Sequence, residues 1–89
     1  MREGEKPFTP EIPQQWQSCT FYLGAIQNEF ERATEGGRIA DFFSTNFKMR
    51  AAYDGEKVTL GNDYKEADLP AINIVIGRMI KNGREVTFS

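Results

Sequence analysis

An apolar stripe near the amino terminus constrains the fold of this chain more than any other feature. Its members recur every three or four residues between Pro13 and the glycine pair at 36–37, and they are Trp16, Cys19, Leu23, Ile26, Phe30 and Ala33. Proline suits the first turn of a helix, and adjacent glycines commonly end one. The spacing therefore predicts one long helix over residues 13–36.

A β-hairpin is predicted over residues 47–60. Apolar side chains alternate with more polar ones in "FKMRAAY", and the next two residues, Asp54-Gly55, form a favoured two-residue turn. Such a turn pairs Tyr53 with Glu56 and Ala51 with Val58, so that the apolar faces of the two strands coincide. The preceding segment, residues 38–46, lacks clear periodicity, and a short helical turn and an edge strand both remain open there.

The last third of the chain fits two descriptions. Six apolar residues have helical spacing, namely Leu69, Ile72, Val75, Ile76, Met79 and Ile80. Acidic residues precede them and basic residues follow, which is the order that a helix dipole favours. The β-branched residues and Asn82-Gly83 would also suit a second hairpin, but the polar pattern favours a helix over 69–81. Residues 84–89, "REVTFS", then form a short strand.

These elements predict an α+β fold, in which a long N-terminal helix and a second helix pack on one face of a small antiparallel sheet. The sheet consists of the hairpin and the C-terminal strand. Residues 1–9 are predicted to be a mobile tail, and residues 10–89 a single compact domain. A core of this size is small, so self-association is a reasonable expectation.

The composition gives little reason to expect catalysis or metal binding. The chain of 89 residues has no histidine, one cysteine and a net charge of −2. Histidine is the commonest general base and a common metal ligand, and Cys19 belongs to the apolar stripe. The acids Asp63, Glu66 and Asp68 suit the start of a helix better than a cation site. We therefore expect no catalytic residues, no cofactor and no metal.

Residues opposite the apolar stripe suggest a protein-binding surface. On the predicted helix Phe21 lies on the polar side, surrounded by small or uncharged groups. The surface comprises Phe21, Gln14, Gln17, Gly24, Ala25, Asn28 and Arg32. A singly exposed phenylalanine, or one covered by another segment, is the competing interpretation. The leading hypothesis is a small non-catalytic protein that regulates or inhibits another macromolecule, of the adaptor or mobile-element inhibitor type, with homodimerisation through Phe21 as its most specific form.

Two further functions remain open. Lys48, Arg50 and Lys57 are predicted to project together from the outer face of the hairpin, where they could contact the phosphates of a nucleic acid. The third alternative is a small structural subunit of a larger assembly. No apolar run reaches the ~18 residues of a membrane span, and the first residues lack the apolar core of a signal peptide. We therefore expect a cytoplasmic protein that does not enter a membrane.

Overall fold

A four-stranded antiparallel sheet and two helices make up the fold. The computed structural model describes residues 12–13 and 15–89, so the predicted tail at residues 1–9 lies outside the described residues. The elements are β1 (Cys19–Tyr22), α1 (Glu29–Phe47), β2 (Ala51–Tyr53), β3 (Lys57–Leu60), a 3₁₀ turn (Glu66–Asp68), α2 (Leu69–Lys81) and β4 (Glu85–Phe88). The strand order is β2-β3-β1-β4. The predicted α+β class is confirmed, and the β-α-β-β-α-β order is that of the split βαβ, or ferredoxin-like, arrangement.

The helices cover one face of the sheet and leave the other open. Phe21 on the central strand β1 is paired with Val58 on one side and Val86 on the other, and all three side chains are buried. Ile39 of α1 and Ile76 of α2 belong to the same buried cluster. Residues that alternate with these along the strands face away from the helices. An antiparallel sheet commonly has one such open face.

The helix predicted over residues 13–36 is wrong for most of its length: among the described residues of this range, only 29–36 are helical, as the first part of α1. Residues 19–22 form a strand, and buried side chains alternate there with more exposed ones, since Cys19, Phe21 and Leu23 are buried. The β-branched and aromatic residues of "TFY" favour an extended backbone, and pairing with strands on both sides stabilises it. The spacing of three and four that predicted one helix therefore runs across a strand, a loop and the first turns of α1.

The long helix lies further along the chain, and its first half contains the glycine pair that was predicted to end a helix. It begins after Asn28, whose side-chain oxygen accepts a hydrogen bond from the Glu31 N–H at 2.9 Å. Gly36 is buried against Tyr53, and a Cβ at position 36 would collide with the tyrosine ring. This glycine allows α1 to approach the sheet closely. Residues 38–46 form the second half of the helix, which settles the open choice at that segment.

The hairpin is confirmed, but its predicted pairing is wrong by two residues. Tyr53 pairs with Val58, and Ala51 pairs with Leu60. Among the non-glycine residues described, only Lys48 has a positive φ, so Asp54 does not adopt the conformation that the predicted two-residue turn requires. The side chains of a strand repeat every two residues, so a shift of two leaves the apolar faces aligned.

The helix predicted over residues 69–81 is confirmed as α2, and the C-terminal strand is confirmed as β4. Pro70 lies in the first turn of α2, as its lack of an N–H favours. Four residues of the apolar stripe are buried on the sheet: Leu69, Ile72, Ile76 and Ile80. Val75 and Met79 are half-buried and face the neighbouring helix α1.

Candidate functional site

A shallow groove between the two helices is a concave surface with a largely apolar lining. It has a volume of about 220 Å³ and is lined by Glu35, Arg38, Ile39, Phe42, Phe43, Val75 and Met79. We refer to it as the α1–α2 groove. Five of the seven lining residues are apolar, and the two charged ones both come from α1.

Helical periodicity places these side chains along the groove. Glu35, Arg38 and Phe42 follow one another at intervals of three and four residues on α1, and Val75 and Met79 are four apart on α2. The Phe42 ring packs edge-on against Phe43, with ring centroids 5.3 Å apart. That contact supports the ring while 40% of Phe42 stays exposed. The groove thus exposes to solvent an aromatic side chain whose position is fixed by packing against Phe43.

An ion pair closes one end of the groove. The Arg84 guanidinium donates a hydrogen bond to the Glu35 carboxylate at 2.9 Å and links α1 to the turn that follows α2. A second cavity of about 210 Å³ lies at that turn and shares Glu35 and Met79 with the groove. Together the two cavities extend the concave surface from Phe42 to the start of β4.

Arginine side chains flank the apolar part of the groove. Arg38 lines it from α1, and Arg78 is an exposed residue of α2, about 60° around the helix from Val75. Neither belongs to the ion pairs found among residues 15–89, which are Arg50–Asp63 and Arg84–Glu35. Since Arg84 pairs with Glu35, Arg38 and Arg78 are positively charged groups beside the apolar part of the groove that neither ion pair neutralises.

The open face of the sheet is the second candidate surface. Tyr22 lies there between Lys57 of β3 and Glu85 of β4, and 39% of the tyrosine is exposed. Its ring lies across Gly24, where a Cβ would collide with it. Arg50 shares this face at the outer edge, and its guanidinium lies 3.9 Å from the Asp63 carboxylate.

The predicted helical surface around Phe21 does not exist, because its residues span a strand, a turn and the start of α1. Phe21 itself is 0% exposed and packs in the core with its ring centroid 5.8 Å from that of Phe43. Asn28 caps α1, and Arg32 donates hydrogen bonds to the carbonyl oxygens of Gly55 and Ile26. The other members are Gln17, Gly24 and Ala25, while Gln14 lies outside the described residues.

The predicted basic group is only partly assembled. Arg50 and Lys57 face the open side of the sheet, as the alternation of the hairpin predicts. Lys48 instead ends α1 in a left-handed conformation, with φ of 57°, and its ammonium donates a hydrogen bond to the Thr45 carbonyl. Sequence reasoning missed Tyr22 as the aromatic neighbour of Lys57. The alternation of Cys19, Phe21 and Leu23 with Thr20 and Tyr22 could have placed Tyr22 on the exposed face of a strand, although not beside Lys57.

Cys19 and the acidic residues offer little reactive chemistry. Burial raises the pKa of the Cys19 thiol to about 12, which keeps it protonated at neutral pH. Within residues 12–13 and 15–89, no cluster of three or more histidine, cysteine, aspartate or glutamate side chains has an arrangement that could hold a metal ion. Neither of the two described helices is both long and apolar enough to cross a membrane.

Comparison with known proteins identifies no relative. No protein-family model matches the chain, and no curated protein or solved structure shows significant similarity to it.

Proposed function

We propose that this chain is a small non-catalytic interaction protein that binds another protein through the α1–α2 groove. The observation that carries the proposal is Phe42, a half-exposed aromatic side chain held in a concave apolar surface. Aromatic residues in such positions commonly dominate the energy of protein interfaces. A cytoplasmic adaptor or inhibitor acts in this way, by occupying a surface of its partner.

The size of the groove favours a protein segment over a small molecule. Sites for small molecules usually enclose ~300–1,000 Å³, which exceeds the 220 Å³ of the groove. Burying one large apolar side chain contributes ~1.5–3 kcal/mol, which is too little for stable binding alone. A partner would therefore also contact the surrounding helix surfaces, as an amphipathic helix does when it binds a groove.

Substitution of Phe42 tests the proposal. Phe42→Glu should abolish binding to any partner that the wild-type chain captures in its native cell, because the apolar ring is lost and a carboxylate would have to be desolvated in its place. The matched control is Ile74→Glu, since Ile74 is 60% exposed on α2 but does not line the groove. Both variants should keep the wild-type circular dichroism spectrum. Equal capture by wild type and Phe42→Glu would contradict the proposal.

Nucleic-acid binding on the open sheet face is a second candidate, favoured by the position of Tyr22 beside Lys57. A tyrosine ring can stack on a base while nearby cations contact phosphates, and such stacking contributes ~1–3 kcal/mol per base. Glu85, on the other side of the tyrosine ring, would repel a nearby phosphate. Fluorescence anisotropy with single-stranded DNA and RNA at low salt tests this candidate. It is abandoned if no binding occurs, or if Tyr22→Leu binds as tightly as wild type.

A further inference from the structure

We infer that the occupant of the α1–α2 groove is a second copy of this chain, which inserts Phe30 from the first turn of its α1. The inference rests on the proposed function, because it uses the same groove and names the partner. Each molecule would then carry both complementary surfaces, the projecting Phe30 and the α1–α2 groove.

Phe30 is the most exposed large apolar side chain among the described residues, at 78%. The backbone around it is firmly held: Asn28 caps the helix, and Arg32 bonds to the carbonyls of Ile26 and Gly55. A projecting aromatic residue on a fixed backbone loses less conformational freedom on binding than one on a mobile loop. Phe30 thus has the properties of an anchoring side chain.

The charges beside the anchor complement those beside the groove. Glu29 and Glu31 flank Phe30 on the first turn of α1, whereas Arg38 and Arg78 flank the groove. Carboxylates at this position also stabilise the amino-terminal end of the helix dipole. Opposite charges across an interface orient the partners and favour one pairing over others. Phe30 entering the groove would bring the two glutamates to the two arginines.

Phe30 does not occupy the groove of its own molecule, since 78% of it is exposed to solvent. It precedes Phe42 by twelve residues on the same helix, which separates the two by ~18 Å along the axis and ~120° around it. The contact must therefore join two molecules. Because anchor and groove are different surfaces, two arrangements satisfy the contact. It is made twice in a two-fold symmetric, isologous dimer, or it runs head to tail as a heterologous contact that closes into a ring or extends into a chain of molecules.

Sedimentation velocity of the full chain over two decades of concentration tests the inference. Wild type should sediment faster as the concentration rises, and Phe30→Glu and Phe42→Glu should each remain monomeric. Phe30→Leu, which keeps an apolar anchor, and Ile74→Gln, which adds no charge near Arg78 and does not alter the groove lining, should associate like wild type. Circular dichroism identifies any variant that fails to fold.

Charge reversal gives a second test that does not depend on the aromatic residues. The double variants Glu29→Lys/Glu31→Lys and Arg38→Glu/Arg78→Glu should each be monomeric alone, because like charges then face each other. An equimolar mixture of the two should associate, because opposite charges then meet at both contacts between the variants, reversed at one and as in wild type at the other. Association of the mixture should weaken as salt is added.

Several results would overturn the inference. They are a wild-type chain that stays monomeric at every concentration, association that survives Phe30→Glu, and folded charge-reversed variants that fail to associate when mixed. In each case the proposed function still stands if Phe42→Glu abolishes capture of a different protein. If Phe42→Glu changes neither self-association nor capture, both the inference and the proposed function fail.

Discussion

Two adjacent glycines in α1 have different surroundings, and substitution separates their roles. Gly36 lies against the ring of Tyr53, whereas no side chain or distant backbone lies within 4 Å of a Cβ built at Gly37. Alanine favours a helix interior over glycine by up to ~1 kcal/mol. Gly37→Ala should therefore raise the free energy of unfolding by ~0.5–1 kcal/mol. Gly36→Ala should lower it, since overpacking costs ~1–3 kcal/mol.

Urea denaturation followed by circular dichroism measures both changes. Gly36→Ala in a Tyr53→Leu background serves as the control, because the smaller side chain should relieve most of the collision. Equal stabilisation by the two alanine substitutions would show that the Tyr53 ring can move aside, and that Gly36 is not needed for close packing.

The thiol of Cys19 gives a second prediction at the scale of one residue. Its pKa is raised to about 12 by burial, and the thiolate is the reactive species. A thiol reagent such as 5,5′-dithiobis(2-nitrobenzoate) should react with the folded protein at pH 8 only as fast as the chain opens, and at once in concentrated urea. Rapid modification of the folded chain would contradict the burial of β1 against the helices.

At the scale of elements, two carboxylates on either side of β3 should make the free energy of unfolding depend on pH. The Asp54 carboxylate accepts hydrogen bonds from the backbone N–H groups of Glu56 and Lys57, and these lower its pKa. The Arg50 N–H likewise lowers the pKa of Asp63. A carboxyl whose pKa is lower in the folded state stabilises the fold above its unfolded pKa of ~3.9. That contribution is lost as the pH falls through the folded pKa.

Unfolding free energies measured by urea denaturation between pH 6 and pH 2 test this prediction. Wild type should lose stability below about pH 4 more steeply than Asp54→Asn/Asp63→Asn, since asparagine keeps a side-chain acceptor without the titratable proton. Glu85→Gln is a suitable control, because Glu85 is exposed and belongs to no ion pair found among the described residues. Identical slopes for wild type and the double variant would contradict the assignment.

Elements whose sequence patterns lie within the element itself could be predicted from the sequence. In α2, charge order, Pro70 and one apolar stripe all favour a helix, and the helix is confirmed. In the hairpin, the alternation predicted the faces, but Asp54-Gly55 did not reveal that the connection is longer. The start of α1 also has a local signal, since Asn28 is followed three residues later by Glu31 in the pattern of a capping box. The apolar stripe obscured that signal.

Features that depend on distant residues could not be predicted in this way. Gly36 is tolerated inside α1 because of Tyr53, which belongs to another element. Tyr22 becomes an exposed neighbour of Lys57 only when β1 pairs with β3. The α1–α2 groove likewise requires two helices far apart in sequence to lie side by side. The candidate site is therefore a property of the tertiary structure. The predicted surface around Phe21 was wrong for a more local reason, because residues 19–22 form a strand and not a helix.

At the scale of the whole molecule, the first strand lies between two strands from later in the chain, one of which is the last. β1 pairs with β3 on one side and with β4 on the other, and Ser18 and Ser89 exchange backbone hydrogen bonds next to that pairing. The central strand is thus complete only when the two ends of the described chain have met. Contacts between such distant residues make folding slow and cooperative, because loop-closure entropy must be overcome before they form.

Hydrogen exchange should reveal this organisation. Amides of β1 are bonded on both sides of the strand and lie beneath the helices, so they should exchange only when the whole molecule unfolds. Their opening free energy should equal the free energy of unfolding from urea denaturation. Amides of β2, a three-residue strand at the edge of the sheet, should exchange by smaller openings and faster. Exchange of β1 as fast as that of β2, measured by NMR, would show that the central strand opens without the rest of the fold.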